Sequence, residues 1–294
     1  MKKNHMTPFT RRIKRKSAVF LAPSFLGVLT FFLAPMLVVL FYSVVDNPIR
    51  KEFVFLDNYK NVCTNYAFRL AVLNTVKFSV ISVPLVVILS LLVALALEKS
   101  VAGKSGIRSF LLSPMMVPIA SVILIWQVLF HYNGVVNELA GKYGMTTVDW
   151  LKSPKAQVVI ILLFVWKNLG YNMVLFMAAL ANLPSGLVEV AKLDCDSDFK
   201  IFWTIRLRYL ASTILFVTIL SLISSFKVFR EIYLLTGDYP FDSLYMLQHY
   251  MNNMFSSLDY QKLSAAAILM SLTMIVLVGL LFVVENYVGR DLEE

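Results

Sequence analysis

Residues 18–45 read AVFLAPSFLGVLTFFLAPMLVVLFYSVV, with no charged side chain in the run. A bilayer's hydrocarbon core is ~30 Å thick and needs roughly 20 apolar residues at 1.5 Å each. Inside lipid every backbone polar group must bond within the chain, so such a run becomes a helix. A secretory signal carries an apolar region of only ~7–15 residues. This run is far longer, and no convincing A-x-A site follows it. Just upstream stand Lys2, Lys3, Arg11, Arg12, Lys14, Arg15 and Lys16. A basic cluster beside an apolar run reads as a cytoplasmic anchor on anionic lipid. It does not read as a nucleic-acid arm, because no soluble domain follows it.

Five further stretches have the length and apolarity to cross: 74–97, 109–130, 157–182, 209–235 and 263–284. The composition agrees. Of 294 residues 59% are hydrophobic and 15% charged, where a soluble domain carries about 25% charged. Mean hydropathy is +0.73. The expected fold is therefore all-α, with six transmembrane helices in a multi-pass membrane protein.

Lys and Arg set the orientation. With the N-terminus inside, the inner segments hold 15 of the 27 Lys and Arg and the outer loops hold eight. Both termini are thus expected in the cytoplasm. The expected division is a basic tail over 1–17, a transmembrane domain over 18–288, and a short tail over 289–294. Phe41, Tyr42, Phe130, Tyr132, Trp150 and Tyr233 fall at the outer interface, where amphipathic rings anchor a chain; a sugar-stacking role uses the same residues. Cys63 and Cys195 fall on opposite sides and are not expected to pair. No CxxC or Cys/His cluster is present, so neither a metal nor a cofactor is expected in the chain.

The inner loop over 183–208 is the most informative segment. It reads LPSGLVEVAKLDCDSDFKIFWTIRLR. Two short helices fit it. Ser185 is placed to cap the first, and Asp196, Ser197 or Asp198 the second. Phe199, Phe202 and Trp203 form the second helix's apolar face at helical spacing. Interfacial helices on the inner leaflet have similar patterns. Yet Asp194, Asp196 and Asp198 would be repelled by anionic lipid, and a basic protein partner fits better.

This loop resembles the docking loop of permease subunits of binding-protein-dependent ABC sugar importers, of the maltose and glycerol-3-phosphate type. Their pattern is I-P-x-x-x-x-E-A-A-x-x-D-G-A-S, continuing to F-x-x-I-T-L-P. Pro184, Glu189, Ala191, Asp194, Ser197, Phe202, Ile205 and Leu207 match it. Val190, Cys195, Asp196, Arg206 and Arg208 depart from it. Further matches run along the chain in order: Asn58-Tyr59, Asn74-Thr75, Arg108 with Pro114, Gly134 with Asn137, Trp166 with Gly170, and the degenerate Thr236-Gly237-Asp238-Tyr239-Pro240.

The resemblance implies a type I ABC importer permease in a bacterial cytoplasmic membrane. It implies a second permease subunit, two ATP-binding-cassette ATPases and an external solute-binding protein as partners. ATP and magnesium would be bound by the ATPases. The docking residues would be Glu189, Ala191, Asp194, Cys195, Asp196, Ser197 and Phe202, with Glu189 making the ionic contact. Phe202 and Trp203 would fix the loop to the inner ends of the spans.

The chain itself is not expected to hydrolyse ATP. Gly103-Lys104-Ser105 lacks the earlier glycine of a phosphate-binding loop, since position 98 is Glu98. No catalytic constellation is evident. A self-contained secondary carrier is the alternative, but such carriers usually have more spans and inverted repeats.

Polar residues at membrane depth usually face a bundle interior. Asn168, Tyr171 and Asn172 in the fourth span are candidates for the solute path. Asn168 and Asn172 share a helix face, and either sugar contact or interhelical hydrogen bonding accounts for them. In the fifth span Phe226, Lys227 and Arg230 are candidates. Lys227 and Glu231 stand four apart, which predicts an internal ion pair; alternatively Lys227 and Arg230 favour an acidic sugar.

Overall fold

The computed structural model describes residues 8–47, 49–98, 103–194 and 197–289. Cys195, Asp196 and the ends of both tails, 1–7 and 290–294, lie outside the described residues. In chain order the helices are α1 (Pro8–Val28), α2 (Ala34–Ser43), α3 (Asp57–Thr64), α4 (Tyr66–Glu98), α5 (Lys104–Met116), α6 (Ile119–Leu129) and α7 (Val135–Lys142). There follow α8 (Ala156–Ala181), α9 (Ser185–Asp194), α10 (Asp198–Ile201), α11 (Leu207–Tyr209), α12 (Ala211–Phe226), α13 (Phe229–Thr236), α14 (Leu247–Ser256) and α15 (Tyr260–Gly289). No strand occurs among the described residues beyond one isolated antiparallel bridge, Val45 with Phe53.

Five segments are long and apolar enough to cross a membrane singly, and six if α5 and α6 count as one span. The sixfold expectation holds in that sense, but the third span is not one straight helix. It bends by 99° between Met116 and Ile119. Val117 is extended, with φ −86° and ψ 133°, as the residue before Pro118 prefers. Pro118 has no N–H to continue the ladder. The fifth span is also interrupted: α12 ends at Phe226 and α13 begins at Phe229. The second span begins two turns before its apolar run, at Tyr66.

The chain divides into two compact units, 1–63 with 254–271 and 64–253 with 272–294. In the first, a π-helical turn over Leu29–Leu33 joins α1 to α2 just before Pro35. A wider turn accommodates a ring that an α-helix would reject. Asn58 then clamps the far end of α2. Its Nδ2 donates to Ser43 O at 3.1 Å and Val45 O at 2.8 Å. Tyr59 Oη donates to Ser43 Oγ at 2.8 Å. Asn58 thus satisfies backbone carbonyls freed where a helix stops, and Tyr59 ties down the Ser43 side chain beside them.

In the second unit α4, α8 and α12 pack together and α5 lies on α8. Phe78, Ala71, Val86 and Ala94 of α4 are buried, as are Ile160, Leu163, Met173 and Phe176 of α8. Small polar side chains bond across the helices, as in lipid-embedded bundles. Ser79 Oγ and Ser225 Oγ are 2.8 Å apart, and Ser90 Oγ donates to Leu169 O at 3.1 Å. At Gly170 a Cβ would stand 1.9 Å from Leu111 O. Only glycine lets α5 approach α8 so closely.

The other paired motifs are pins as well. Asn74 Nδ2 donates to Asp242 O at 2.6 Å and Tyr245 O at 3.1 Å, while Thr75 Oγ1 accepts from Leu247 N at 2.9 Å. Asn137 Nδ2 donates to Tyr132 O at 2.8 Å and Val148 O at 2.7 Å, and its Oδ1 accepts from Trp150 Nε1 at 2.9 Å. Phe130 packs edge-on against Trp150, 6.1 Å between centroids. These two rings therefore help build the loop over 130–155.

Candidate functional site

A cavity of about 630 Å³ is lined by α5, α8, α12 and α13. Its size falls within the range of small-molecule sites. From α8 come Phe164, Lys167, Asn168 and Tyr171, which recur at the three- and four-residue spacing of one helix face. Asn172 adjoins them. From α12 come Leu220, Ile223 and Ser224, and from the break and α13 come Lys227, Val228, Arg230 and Glu231. Met115 closes the α5 side, one residue before the end of that helix. Two interrupted spans thus border the cavity. Irregular backbone at membrane depth is tolerated where it is buried in protein or lines a cavity.

Five of the six expected solute-path residues line this chamber: Asn168, Tyr171, Asn172, Lys227 and Arg230. Phe226 does not. It is buried within the helix packing, 7% exposed. The last residue of α12 is turned into the bundle, whereas Leu220, Ile223 and Ser224 of the same helix face the chamber. For Asn172 the interhelical bond is made: Nδ2 donates to Ser221 Oγ at 2.8 Å. Asn168 Nδ2 donates instead to Phe164 O, 2.8 Å away on its own helix.

The predicted Lys227–Glu231 ion pair is absent from the structure. The interrupted span places Lys227 at the cap of α12, so an unbroken i, i+4 geometry does not exist there. Lys167 of α8 takes the role, with Nζ donating to Glu231 Oε1. Glu231 is 4% exposed. Arg230 Nη2 stands 3.9 Å from the same oxygen. Lys227 is exposed and has no carboxylate within ion-pair reach among the described residues. Spacing along one helix missed Lys167, whose partner lies on another.

The 183–208 segment forms the two expected helical pieces, α9 and then α10 to α11 through a π-helical turn over Phe202–Arg206. Glu189 and Ser197 are exposed and Ala191 is half-buried; Asp194 ends α9. The apolar anchor differs from expectation. Phe199 and Trp203 are 74% and 54% exposed, Phe202 is half-buried, and Ile201 is the buried residue. Phe199 and Trp203 still pack on each other, 6.1 Å between centroids, but the buried side of the segment carries Ile201. Polar tethers complete the attachment. Arg206 Nη1 lies 2.6 Å from Glu98 Oε2 at the end of α4, and Tyr209 Oη donates to Asn182 O at 3.0 Å. Beside Glu98 is a second cavity of about 420 Å³, bordered also by Lys104, Arg108 and Met177.

One buried group escaped sequence reading. His249 is 1% exposed and its Nδ1 accepts from Met246 N at 3.2 Å. Its ring packs on Phe229 at 4.6 Å. Burial pushes its pKa down to about 4.

Among the described residues no cluster of His, Cys, Asp or Glu is arranged to hold a metal.

The chain is similar to the trehalose/maltose transport system permease protein MalF of Thermococcus litoralis, 31% identical over 88% of this chain and 91% of that one. It is 28% identical to the lactose transport system permease protein LacF of Rhizobium radiobacter, over 93% of each chain. It is 29% identical to the sn-glycerol-3-phosphate transport system permease protein UgpA of Rhizobium meliloti, over 76% of this chain and 78% of that one. Its fold matches a chain of a bacterial ABC transporter involved in import of the acidic polysaccharide alginate, with TM-score 0.81, 20% identity, and coverage of 98% of this chain and 100% of that one. A second match, TM-score 0.78 at 20% identity over 96% and 97%, is to the bacterial alginate transporter in complex with an alginate pentasaccharide-bound periplasmic protein. The profile of the binding-protein-dependent transport system inner membrane component matches residues 72–294. With its membrane-length helices, its interrupted spans and its two-helix loop, the chain belongs to that family of inner membrane components.

Proposed function

We propose that the chain forms half of the translocation pore of an ATP-binding-cassette importer for a sugar or oligosaccharide. A second permease subunit supplies the other half. An extracytoplasmic solute-binding protein delivers the solute, and two ATPase subunits, which bind ATP and magnesium, dock on the 183–208 loop. The N- and C-termini lie in the cytoplasm in this reading, as does the loop.

The observation that carries the proposal is the tethered helix pair α9–α11. It presents an exposed Glu189 and is fastened to α4 and to Asn182 by Arg206 and Tyr209. Coupling needs an element that moves as a unit between discrete arrangements. A helix pair bonded at its base to a span that lines the bundle meets that need. The substrates named for the relatives, trehalose or maltose and lactose, support a sugar.

Glu189→Lys in the assembled transporter, reconstituted in vesicles with binding protein and ATP, tests this. Sugar uptake is expected to fall by about tenfold or more, since losing a charged hydrogen bond at a docking contact costs about 1.5–3 kcal/mol, while membrane insertion is unchanged. Uptake equal to that of the unaltered chain would remove the docking role. Cys63, exposed in the structure, is expected to react with an impermeant maleimide from outside; labelling only from the cytoplasm reverses the topology.

A further inference from the structure

We infer that the chamber between α8 and α12–α13 recognises a carbohydrate bearing an anionic group, with Lys227 and Arg230 holding the anion. The inference rests on the importer reading above and narrows its substrate class. Four ionisable side chains line the chamber: Lys167, Lys227, Arg230 and Glu231. The single carboxylate is already committed, since Glu231 Oε1 accepts from Lys167 Nζ. Arg230 stands 3.9 Å from that same oxygen, at the outer limit of an ion pair, with its side chain 65% exposed. Lys227 has no carboxylate in reach among the described residues. The wall therefore carries two cations in excess.

An uncompensated cation at membrane depth is costly and occurs where a solute or a partner group neutralises it. Two such cations lie within one turn of the break in the fifth span, where the backbone is irregular. In membrane transporters, solute sites are typically built from such discontinuous helices. The same wall also offers acceptors for hydroxyl groups. Asn168 is partly exposed in the lining and presents its amide oxygen, since its Nδ2 donates to Phe164 O. Tyr171 supplies a partly exposed ring for an apolar sugar face. A neutral disaccharide would use the acceptors and the ring but leave both cations unmatched. A sugar acid or a sugar phosphate satisfies all of them.

The test is equilibrium binding to the transporter purified with its partner permease and ATPase in nanodiscs. The probes are trigalacturonate against its neutral methyl ester, and glucose 6-phosphate against glucose. At low salt one acid is expected to bind about tenfold or more tightly than its neutral twin, and the gap should shrink in 1 M KCl, where charges are screened within about 3 Å. Preference confined to the first pair assigns a carboxylate, and preference in the second pair a phosphate. The Lys227→Gln/Arg230→Gln variant should lose the preference while still binding the neutral compounds. Equal affinity within both pairs in the unaltered complex overturns the inference, and that result needs no variant to fold. The importer reading falls separately, on the Glu189→Lys uptake assay.

Discussion

Arg206 Nη1 stands 2.6 Å from Glu98 Oε2, joining the second half of the 183–208 loop to the end of α4. Arg206 is one of the positions where the chain departs from the docking-loop pattern, and Glu98 is the residue that disqualifies a phosphate-binding loop at Gly103-Lys104-Ser105. Both apparent irregularities resolve into one contact. Each side chain is between a quarter and a third exposed.

Neutralising this contact is expected to loosen the loop more than it destabilises the protein. A partly exposed pair contributes only about 0.2–1 kcal/mol to stability. Arg206→Thr should therefore leave the melting temperature nearly unchanged and lower ATP-driven uptake several-fold. The exchanged pair Glu98→Arg/Arg206→Glu should recover most of it. Full uptake in Arg206→Thr would show that the tether carries no coupling.

The choice of Lys167 over Lys227 as the partner of Glu231 predicts unequal costs. Lys167→Met leaves a buried carboxylate with only the exposed Arg230, 3.9 Å away, in place of its hydrogen-bonded cation, at a cost of up to roughly 3–5 kcal/mol. Lys227→Met removes an uncompensated cation and no ion pair, and should be neutral or stabilising. Denaturation in detergent micelles compares the two. Equal losses would return the ion pair to Lys227.

Gly170 and Gly106 make a matched comparison. A Cβ at Gly170 would stand 1.9 Å from Leu111 O, whereas one at Gly106 meets nothing within 4 Å. Gly170→Ala must push α5 off α8 and should cost roughly 1–3 kcal/mol, as overpacking does. Gly106→Ala should be neutral or stabilising by about 0.5–1 kcal/mol. Expression level and thermal stability report both.

His249 predicts an acid-sensitive fold. Its pKa is lowered to about 4 in the folded chain, against about 6.5 when unfolded. Above pH 6.5 both states are neutral and the full stability is present. Between 6.5 and about 4 the unfolded chain binds a proton that the folded chain does not, so stability falls as pH falls. The loss across that window is on the order of 3 kcal/mol. His249→Asn retains an acceptor for Met246 N and should flatten the melting temperature between pH 7 and 4.5. A variant profile as steep as that of the unaltered chain would assign the acid sensitivity elsewhere.

The paired motifs show how far a sequence reaches. Asn58-Tyr59, Asn74-Thr75 and Gly134 with Asn137 are recognisable by order and spacing, but their purpose is not. Each asparagine holds backbone carbonyls at a helix end or in a loop, two of them 5 to 15 residues away and one about 170 away. Spacing cannot reveal an acceptor that the fold brings from so far along the chain.

Sequence by itself determined the all-α character, the positions of the apolar membrane-crossing segments and the two-helix form of the 183–208 loop. These follow from uninterrupted apolar length and helical period, which are properties of neighbouring residues. Tertiary structure alone decided that Lys167 pairs with Glu231, that Phe226 faces the bundle, that Ile201 anchors the loop, and that His249 is buried. Those outcomes depend on which helix lies opposite and where a span is interrupted. The energy of a side chain at membrane depth is set by its partner across the interface, and no local pattern encodes that partner.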